Sequence, residues 1–339
     1  MTQPIPPQKI IVHQLGRDYK SATRIVDDIL QDPKPGQIRL RNHFAGVNGL
    51  FDAMAMQGAI GYIPLTPPFD LGVEAVGLID AVGEGVKMSV GDAVATTGLG
   101  GAYRHYQIIE AAKAYKIPTA TPDYLAIVPT GISALVALEQ VAMLQAGETV
   151  VITAAAGGLG HIWVQLAVNM GCRVIGIAGS DAKCEFVTSL GAERCINYKT
   201  NSVADVLGEH YKDAIDVAVD TVGGSIFDAL IDNIAPLGRL VVSGYASEIV
   251  EGAKPVLAPR IYERLYWKGA SVRGFMNALL SEHHRDAATR LFDMMHAGDL
   301  HISLDPTVFK GLQALPDAAH HMMSGQNIGK TVLDLRDGV

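Results

Sequence analysis

The stretch Thr149 to Gly160, TVVITAAAGGLG, constrains this chain more than any other. A short β-rich apolar run, Thr149 to Thr153, meets a turn of small residues, Ala154 to Gly160, and an apolar helical pattern continues through Trp163, Leu166, Ala167 and Met170. The change of period predicts a strand, a tight turn and a helix. Such a turn leaves backbone N–H groups at the helix N-terminus unpaired and carrying a partial positive charge, which attracts a phosphate. The spacing is that of the dinucleotide fingerprint G-x-G-x-x-G with alanine at the first position: Ala155, Gly157, Gly160. Taken alone, the stretch is equally compatible with a Gly/Ala-rich turn between packed elements, so the rest of the chain decides.

Downstream, strand-like and helical runs alternate. RVIGIAG is followed by a helical pattern from Asp181 to Leu190, CINY by one from Ser202 to Glu209, and AIDVAVDTVG by one from Gly224 to Ala235, before GRLVVSGY. Alternation at this spacing predicts βαβ units and a parallel sheet, with the glycine turn at its first strand. Residues 248 to 268, rich in Pro, Tyr and charge, break the pattern and read as a loop or lid. A further strand, SVRGF, and an amphipathic helix from Arg285 to His296 follow.

Upstream, residues 1 to 125 read differently. Short strand-like runs (IIVHQL, QIRLRNHFAGVN, VEAVGLIDAVG, DAVATTG, YRHYQII) are separated by Pro/Gly turns, which suggests a barrel or sandwich. The tail ends in QNIGKTVLDL, and a lone C-terminal strand needs a sheet, so it is expected to rejoin this first domain. A chain of 339 residues suits two domains. The boundaries expected are 1–125 with 301–339, and 126–300.

A formal charge of −8 without a Lys/Arg cluster argues against a nucleic-acid surface. Gly, Pro or charges interrupt every apolar run before it reaches the roughly 20 residues of a membrane span. The N-terminus MTQPIPPQKI lacks the basic-then-apolar pattern of a secretory signal, so the expected setting is cytoplasmic. Cys172, Cys184 and Cys195 lack metal-site spacing and read as thiols in a reducing compartment.

The strand after the glycine turn discriminates between dinucleotides. NAD-binding folds place an acidic residue about 20 positions beyond the turn, on the ribose 2′-hydroxyl. Here that strand ends in Ile177, Ala178, Gly179, Ser180, without an acid at its tip. Gly179 leaves room, Ser180 can donate to a phosphate and Lys183 supplies charge, which fits the 2′-phosphate of NADPH. Asp181 is read as a helix N-cap. Lys183 can equally be a solvated surface lysine.

At this point the sequence resembles the medium-chain dehydrogenase/reductase superfamily, specifically its zinc-free quinone oxidoreductase and prostaglandin (enone) reductase branch. The residues that carry the resemblance are GVN at 46–48, PPFDLGVEAVG at 67–77, VGEGV and VGDAV within 82–94, TAAAGGLG at 153–160, AGSDAKCEFVTSLGA at 178–192, INYK at 196–199 and the terminal IGKTVLDL. The resemblance implies an α/β fold: a GroES-like β-rich catalytic domain made from both chain ends, a doubly wound Rossmann domain between them, and an active site in the interdomain cleft.

Position by position, the resemblance implies that Gly157, Gly158, Leu159 and Gly160 meet the pyrophosphate. Gly179, Ser180, Lys183 and Tyr198 would surround the adenosine phosphate. Thr130, Thr221, Ser243, Gly244, Tyr245, Arg273, Gly274, Phe275 and Asn327 would line the ribose and nicotinamide. Around Asn48 the family usually has an aspartate three residues on, whereas Asp52 lies four on, an apparent insertion.

Zinc alcohol dehydrogenases of the superfamily hold catalytic zinc through a cysteine, the histidine of a GHE triplet and a later cysteine or carboxylate. Here the first position falls near Asn48, and the triplet is Gly72-Val73-Glu74. Valine cannot ligate a metal, and no cysteine precedes Cys172 to build a structural zinc lobe. No metal is expected. The pairs His283-His284 and His320-His321 read as surface histidines, because adjacent side chains on a helix diverge.

The expected chemistry is hydride transfer from NADPH to the C=C of an α,β-unsaturated ketone or aldehyde, or to a quinone. The cofactor carries the chemistry and the protein positions the rings. Hydrogen bonds must stabilise the developing enolate oxygen, and Tyr62, Tyr245, Asn48 and the ribose hydroxyl are candidate donors, with Tyr262 or Tyr266 able to close from the lid. An aromatic packing role is open for each tyrosine. Met54, Met56, Phe69 and Phe275 are expected to form apolar cleft walls. The rival readings are strict quinone reduction and a non-catalytic, crystallin-like NADPH-binding protein. A homodimer is expected, because SVRGF would otherwise be an exposed sheet edge.

Overall fold

The computed structural model describes residues 6–336. They form two compact units, one from residues up to Pro129 together with Leu304 onward, the other Thr130–Ser303.

The first unit is built on β-strands in two sheets. Strand β1 (Gln8–Val12) pairs antiparallel with β2 (Thr23–Asp27) and with the short β4 (Phe69–Asp70). The larger sheet centres on β3 (Gln37–Gly46), which pairs with β5 (Glu74–Val82) and β7 (Tyr106–Glu110). Beyond β5 lie β6 (Ala93–Thr97) and β8 (Ala114–Lys116). The four runs from QIRLRNHFAGVN to YRHYQII thus become β3, β5, β6 and β7. β2 and β8 had no expectation attached, being too short and too polar for an alternating pattern to show.

In the second unit the strands are parallel. They are β9 (Thr149–Ile152), β10 (Arg173–Ala178), β11 (Arg194–Asn197), β12 (Ile215–Asp220), β13 (Ile234–Val242) and β14 (Ser271–Gly274), in the spatial order β11-β10-β9-β12-β13-β14. This is the doubly wound order in which the chain reverses direction beside its first strand. Helices Gly160–Asn169, Asp181–Ser189, Val203–His210 and Gly224–Asn233 make the crossovers. Val151, Ile175, Ile177, Ala218, Leu230 and Leu240 pack into one buried cluster. Burial of a side chain of this size contributes about 1.5–3 kcal/mol. Trp163, fully buried, satisfies its indole N–H on the Ala134 carbonyl at 3.0 Å.

The C-terminal segment completes the first unit. β15 (Phe309–Lys310) and β16 (Val332–Asp334) extend the larger sheet, β16 lying antiparallel to β3 with Leu333 opposite Ala45. The lone terminal strand therefore finds its sheet where expected. Val47, Met56, Leu71, Ala75, Tyr103 and Leu333 share this unit's core.

Two expectations need correction here. Residues 248–268 are not all loop: helices Ala246–Glu251 and Tyr262–Tyr266 occupy both ends, with no regular structure from 252 to 260. The Pro/Tyr-rich composition hid them, because each is a single short turn or two. Met56 does not form a cleft wall, since it is fully buried in the first unit's core.

Candidate functional site

β9 ends at Ile152, and the chain turns through 153–159 before the helix that begins at Gly160. Two bonds shape this turn: Ala155 N–H donates to the Ile177 carbonyl at 3.0 Å and Gly157 N–H to the Ala154 carbonyl at 2.9 Å. A Cβ at Gly160 would overlap the Ala154 carbonyl and the Ala155 backbone, so only glycine fits there. The N–H groups of Gly158 and Leu159 have no hydrogen-bond partner among the described residues, and both residues are half-buried. These are the donors a pyrophosphate needs at a helix N-terminus.

The next strand, β10, delivers the corner read as a 2′-phosphate site. Gly179 lies under Tyr198, whose ring atoms a Cβ there would meet at 3.0 Å. Here the N-cap expectation for Asp181 is overturned. Ser180 is the N-cap: its backbone is extended (φ −164, ψ 161) and its Oγ accepts from Lys183 N–H at 3.3 Å. Asp181, already helical, accepts instead from Asn197 Nδ2 at 2.7 Å. The acid of this corner is therefore bonded sideways to the end of β11.

The carboxyl ends of β12, β13 and β14 present the remaining residues of this unit. Thr221 N–H donates to Thr153 Oγ1 at 2.9 Å. Ser243, Gly244 and Tyr245 follow β13, with Ser243 N–H on the Asp220 carbonyl at 2.8 Å and Tyr245 partly exposed. Phe275 N–H donates to the Val242 carbonyl at 2.9 Å. Arg273 is anchored, its Nη1 donating to the Val141 carbonyl at 2.7 Å. Thr130, almost buried, opens the unit. In parallel sheets this end of the strands is where ligands bind.

Asp220 escaped the sequence reading. Fully buried, it accepts from Thr153 Oγ1 at 2.9 Å, from Val222 N–H at 2.9 Å and from Gly223 N–H at 3.1 Å, so it pins two strand tips together. The signal was an acid closing the apolar run AIDVAVD.

In the first unit, Asn48 stands between two buried acids. Helix Gly49–Met56 carries Asp52 back over its own start, where Asp52 Oδ2 accepts from Asn48 N–H at 3.2 Å. The Tyr103 hydroxyl donates to the same oxygen at 2.5 Å. Glu74, on β5, bonds the Asn48 side chain and the ammonium of Lys330. Burial drives the Glu74 carboxyl up, and the Lys330 charge opposes it. Burial likewise pushes Asp52 up to about 7, against the Tyr103 bond and with help from the Glu74 charge. A Cβ at Gly46 would overlap the Glu74 carboxylate, which is why the GVN motif begins with glycine. Asn327 is nearly buried and donates to the Gly329 carbonyl at 3.0 Å, while Tyr62 lies half-exposed.

This cluster does not suit a catalytic zinc. Val73 offers no donor atom, and the carboxylate of Glu74 already faces an ammonium that would repel a cation. Among the described residues no group of three or more His, Cys, Asp or Glu is arranged to hold a metal. Three of the histidines expected at the surface, His283, His284 and His321, are half-buried: His321 lies 3.2 Å from Asp305 and packs on Phe309, and His284 bonds Asn277 Oδ1 at 2.9 Å. Adjacent side chains on a helix point about 100° apart, so one of a pair can turn inward while the other stays in solvent.

Fold and site together define an oxidoreductase of the alcohol-dehydrogenase type. The family profile of the alcohol dehydrogenase GroES-like domain matches residues 34–119, and that of the zinc-binding dehydrogenases matches residues 158–297. Prostaglandin reductase-3 of Mus musculus is 35% identical over 97% of this chain and 89% of its own length. A probable quinone oxidoreductase of Leishmania amazonensis is 32% identical over 99% of this chain and 100% of its own. The crystal structure of Escherichia coli quinone oxidoreductase complexed with NADPH superimposes with a TM-score of 0.84 at 25% identity, covering 97% of this chain and 100% of that one. The chain belongs to the medium-chain dehydrogenase/reductase superfamily, in its quinone oxidoreductase and prostaglandin reductase branch.

Proposed function

We propose that this chain is an NADPH-dependent reductase of conjugated carbonyl compounds, acting on the C=C of enones and enals or on quinones. The observation that carries the reading is the pair of unpartnered N–H groups at Gly158 and Leu159 above a Gly160 that admits no side chain. The names of the relatives, a prostaglandin reductase and a quinone oxidoreductase, support the acceptor class, and the NADPH complex supports the cofactor.

When bound, NADPH supplies the hydride. The turn 157–160 receives its pyrophosphate, and Gly179, Ser180, Lys183 and Tyr198 take the adenosine phosphate. Thr130, Thr221, Ser243 to Tyr245 and Arg273 to Phe275 hold the ribose and nicotinamide. The tip of β10 carries no acid, and the Asp181 carboxylate that follows is bonded sideways by Asn197. Asn48 gives one amide N–H to Glu74, and its second N–H is the donor offered to the carbonyl oxygen of the acceptor. Tyr62 and Tyr245 are the phenols able to supply the proton that the carbonyl oxygen or α-carbon takes up.

No helix among the described residues is long and apolar enough to cross a membrane. A cytoplasmic homodimer completes the reading: the three cysteines are free, and β14 ends the parallel sheet with an unpaired edge that a second copy can cover. NADPH oxidation measured across cyclic enones, linear enals and quinones tests the proposal. Turnover of at least one class is expected, and NADPH binding without turnover of any would favour the crystallin-like alternative.

A further inference from the structure

His161 is the second residue of the helix that follows the glycine turn, and it is completely buried. An apolar side chain would fill such a site without a polar group to satisfy, whereas a buried imidazole needs partners for both nitrogens. It has them. Nδ1 lies 2.9 Å from the Gly157 carbonyl, and Nε2 lies 3.3 Å from Ser303 N–H. An N–H can only donate, so Nε2 accepts, the ring proton is on Nδ1, and Nδ1 donates to the carbonyl. The His161 backbone N–H donates to the same carbonyl at 3.1 Å, so one residue gives the Gly157 oxygen two bonds.

The Gly157 carbonyl shares a peptide unit with the N–H of Gly158. In a planar trans peptide the C=O and the N–H point in opposite directions, so whatever aims one aims the other. With the oxygen drawn along the helix toward His161, the Gly158 N–H is turned outward past the helix start, where it has no partner among the described residues. The ring is held from behind as well. One helical turn on, Gln165 accepts from His301 N–H at 2.8 Å and donates to the His301 carbonyl at 2.9 Å, which fixes the segment 301–303 that bonds Nε2.

We propose that His161 is a positioning residue of the dinucleotide site: its Nδ1–H holds the Gly157–Gly158 peptide in the orientation that offers the Gly158 N–H to the pyrophosphate. The inference rests on the reading of 157–160 as the pyrophosphate turn and adds the side chain that sets the direction of its donor. His161 itself has no exposed surface and acts only through that peptide.

The test is titration of the full chain with NADPH and with adenosine 2′-phosphate, which carries the 2′-phosphate and no pyrophosphate. His161→Leu and His161→Asn are close in size and both lose the Ser303 bond, but the Asn amide keeps an N–H in the place of Nδ1. His161→Leu should weaken NADPH about tenfold and His161→Asn should return to within about threefold of wild type, a difference of the size one buried hydrogen bond makes. Adenosine 2′-phosphate should bind both variants as it binds wild type. Wild-type NADPH affinity in His161→Leu, equal NADPH losses in the two variants, or a parallel loss of adenosine 2′-phosphate would overturn the inference, the last because it marks a general structural role. ¹⁵N NMR of histidine-labelled wild type adds an arm that needs no variant. NADPH should shift the His161 Nδ1–H signal and adenosine 2′-phosphate should leave it in place; a signal unmoved by bound NADPH would overturn the inference alone. A wild type that binds no NADPH would overturn the pyrophosphate reading with it.

Discussion

The Tyr103 hydroxyl donates a 2.5 Å hydrogen bond to Asp52 Oδ2, and both side chains are buried. The same hydroxyl lies 3.2 Å from the Gly46 carbonyl, so one phenol sits between the start of the GVN motif and the acid six residues beyond it. Tyr103→Phe deletes this link and leaves Asp52 Oδ2 with the Asn48 N–H alone. Stability should fall by about 1–3 kcal/mol in urea unfolding. The loss also removes a bond that favours the charged form of Asp52, so any activity limb governed by Asp52 should move to higher pH in Tyr103→Phe.

Asp52 makes a second, separate prediction about folding. Its carboxyl is raised from 3.8 to about 7, chiefly by burial. Between those values the native state holds a proton that the unfolded chain has released, so stability is full at low pH and drains as pH rises toward 7. Asp52→Asn removes that dependence. The difference in unfolding free energy between variant and wild type should therefore move in the variant's favour from about pH 4 to about pH 7. A constant difference across that range would mean that Asp52 is ionised in the folded protein.

Cofactor choice is decided at the end of β10. Lys183→Ala should weaken NADPH about tenfold or more in fluorescence titration and change NADH by no more than about twofold, because only the former carries the 2′-phosphate. Equal losses for the two cofactors would place Lys183 on a common part of the nucleotide, or nowhere near it.

Gly160→Ala tests the turn. Its Cβ would meet the Ala154 carbonyl and the Ala155 backbone, neither of which can give way without opening the turn. A loss of NADPH affinity of about tenfold or more is expected, with overpacking costing about 1–3 kcal/mol of stability. Unchanged affinity would show that the turn is only a structural junction.

The residues most legible in the sequence were those whose role is local. The strand, turn and helix at 149–160 and the alternation after it are set by period and by glycine, so β10 to β14 fall at RVIGIAG, CINY, AIDVAVDTVG, GRLVVSGY and SVRGF, with β13 starting four residues early at Ile234. Contacts between distant segments left no comparable trace. Tyr103, fifty-one positions from Asp52, and Lys330, which closes on Glu74 from the far end of the chain, carry no spacing that betrays their partners. Ser180 displaced Asp181 as helix cap because capping depends on an extended backbone, and that conformation is not written in residue type when Ser and Asp stand side by side. Asp52 looked like a misplaced family aspartate. The helical turn from Asn48 explains it: the backbone N–H of Asn48 reaches the side chain of the residue four positions on.

The most direct test of the proposed reaction is the fate of the hydride. The protein should oxidise NADPH deuterated at the transferable position while reducing 4-phenylbut-3-en-2-one, and mass and NMR analysis would locate the label in the product. Deuterium on the β-carbon of the saturated ketone, with the carbonyl intact, is the expected result. Deuterium on the carbinol carbon of an allylic alcohol would contradict it and identify a carbonyl reductase instead.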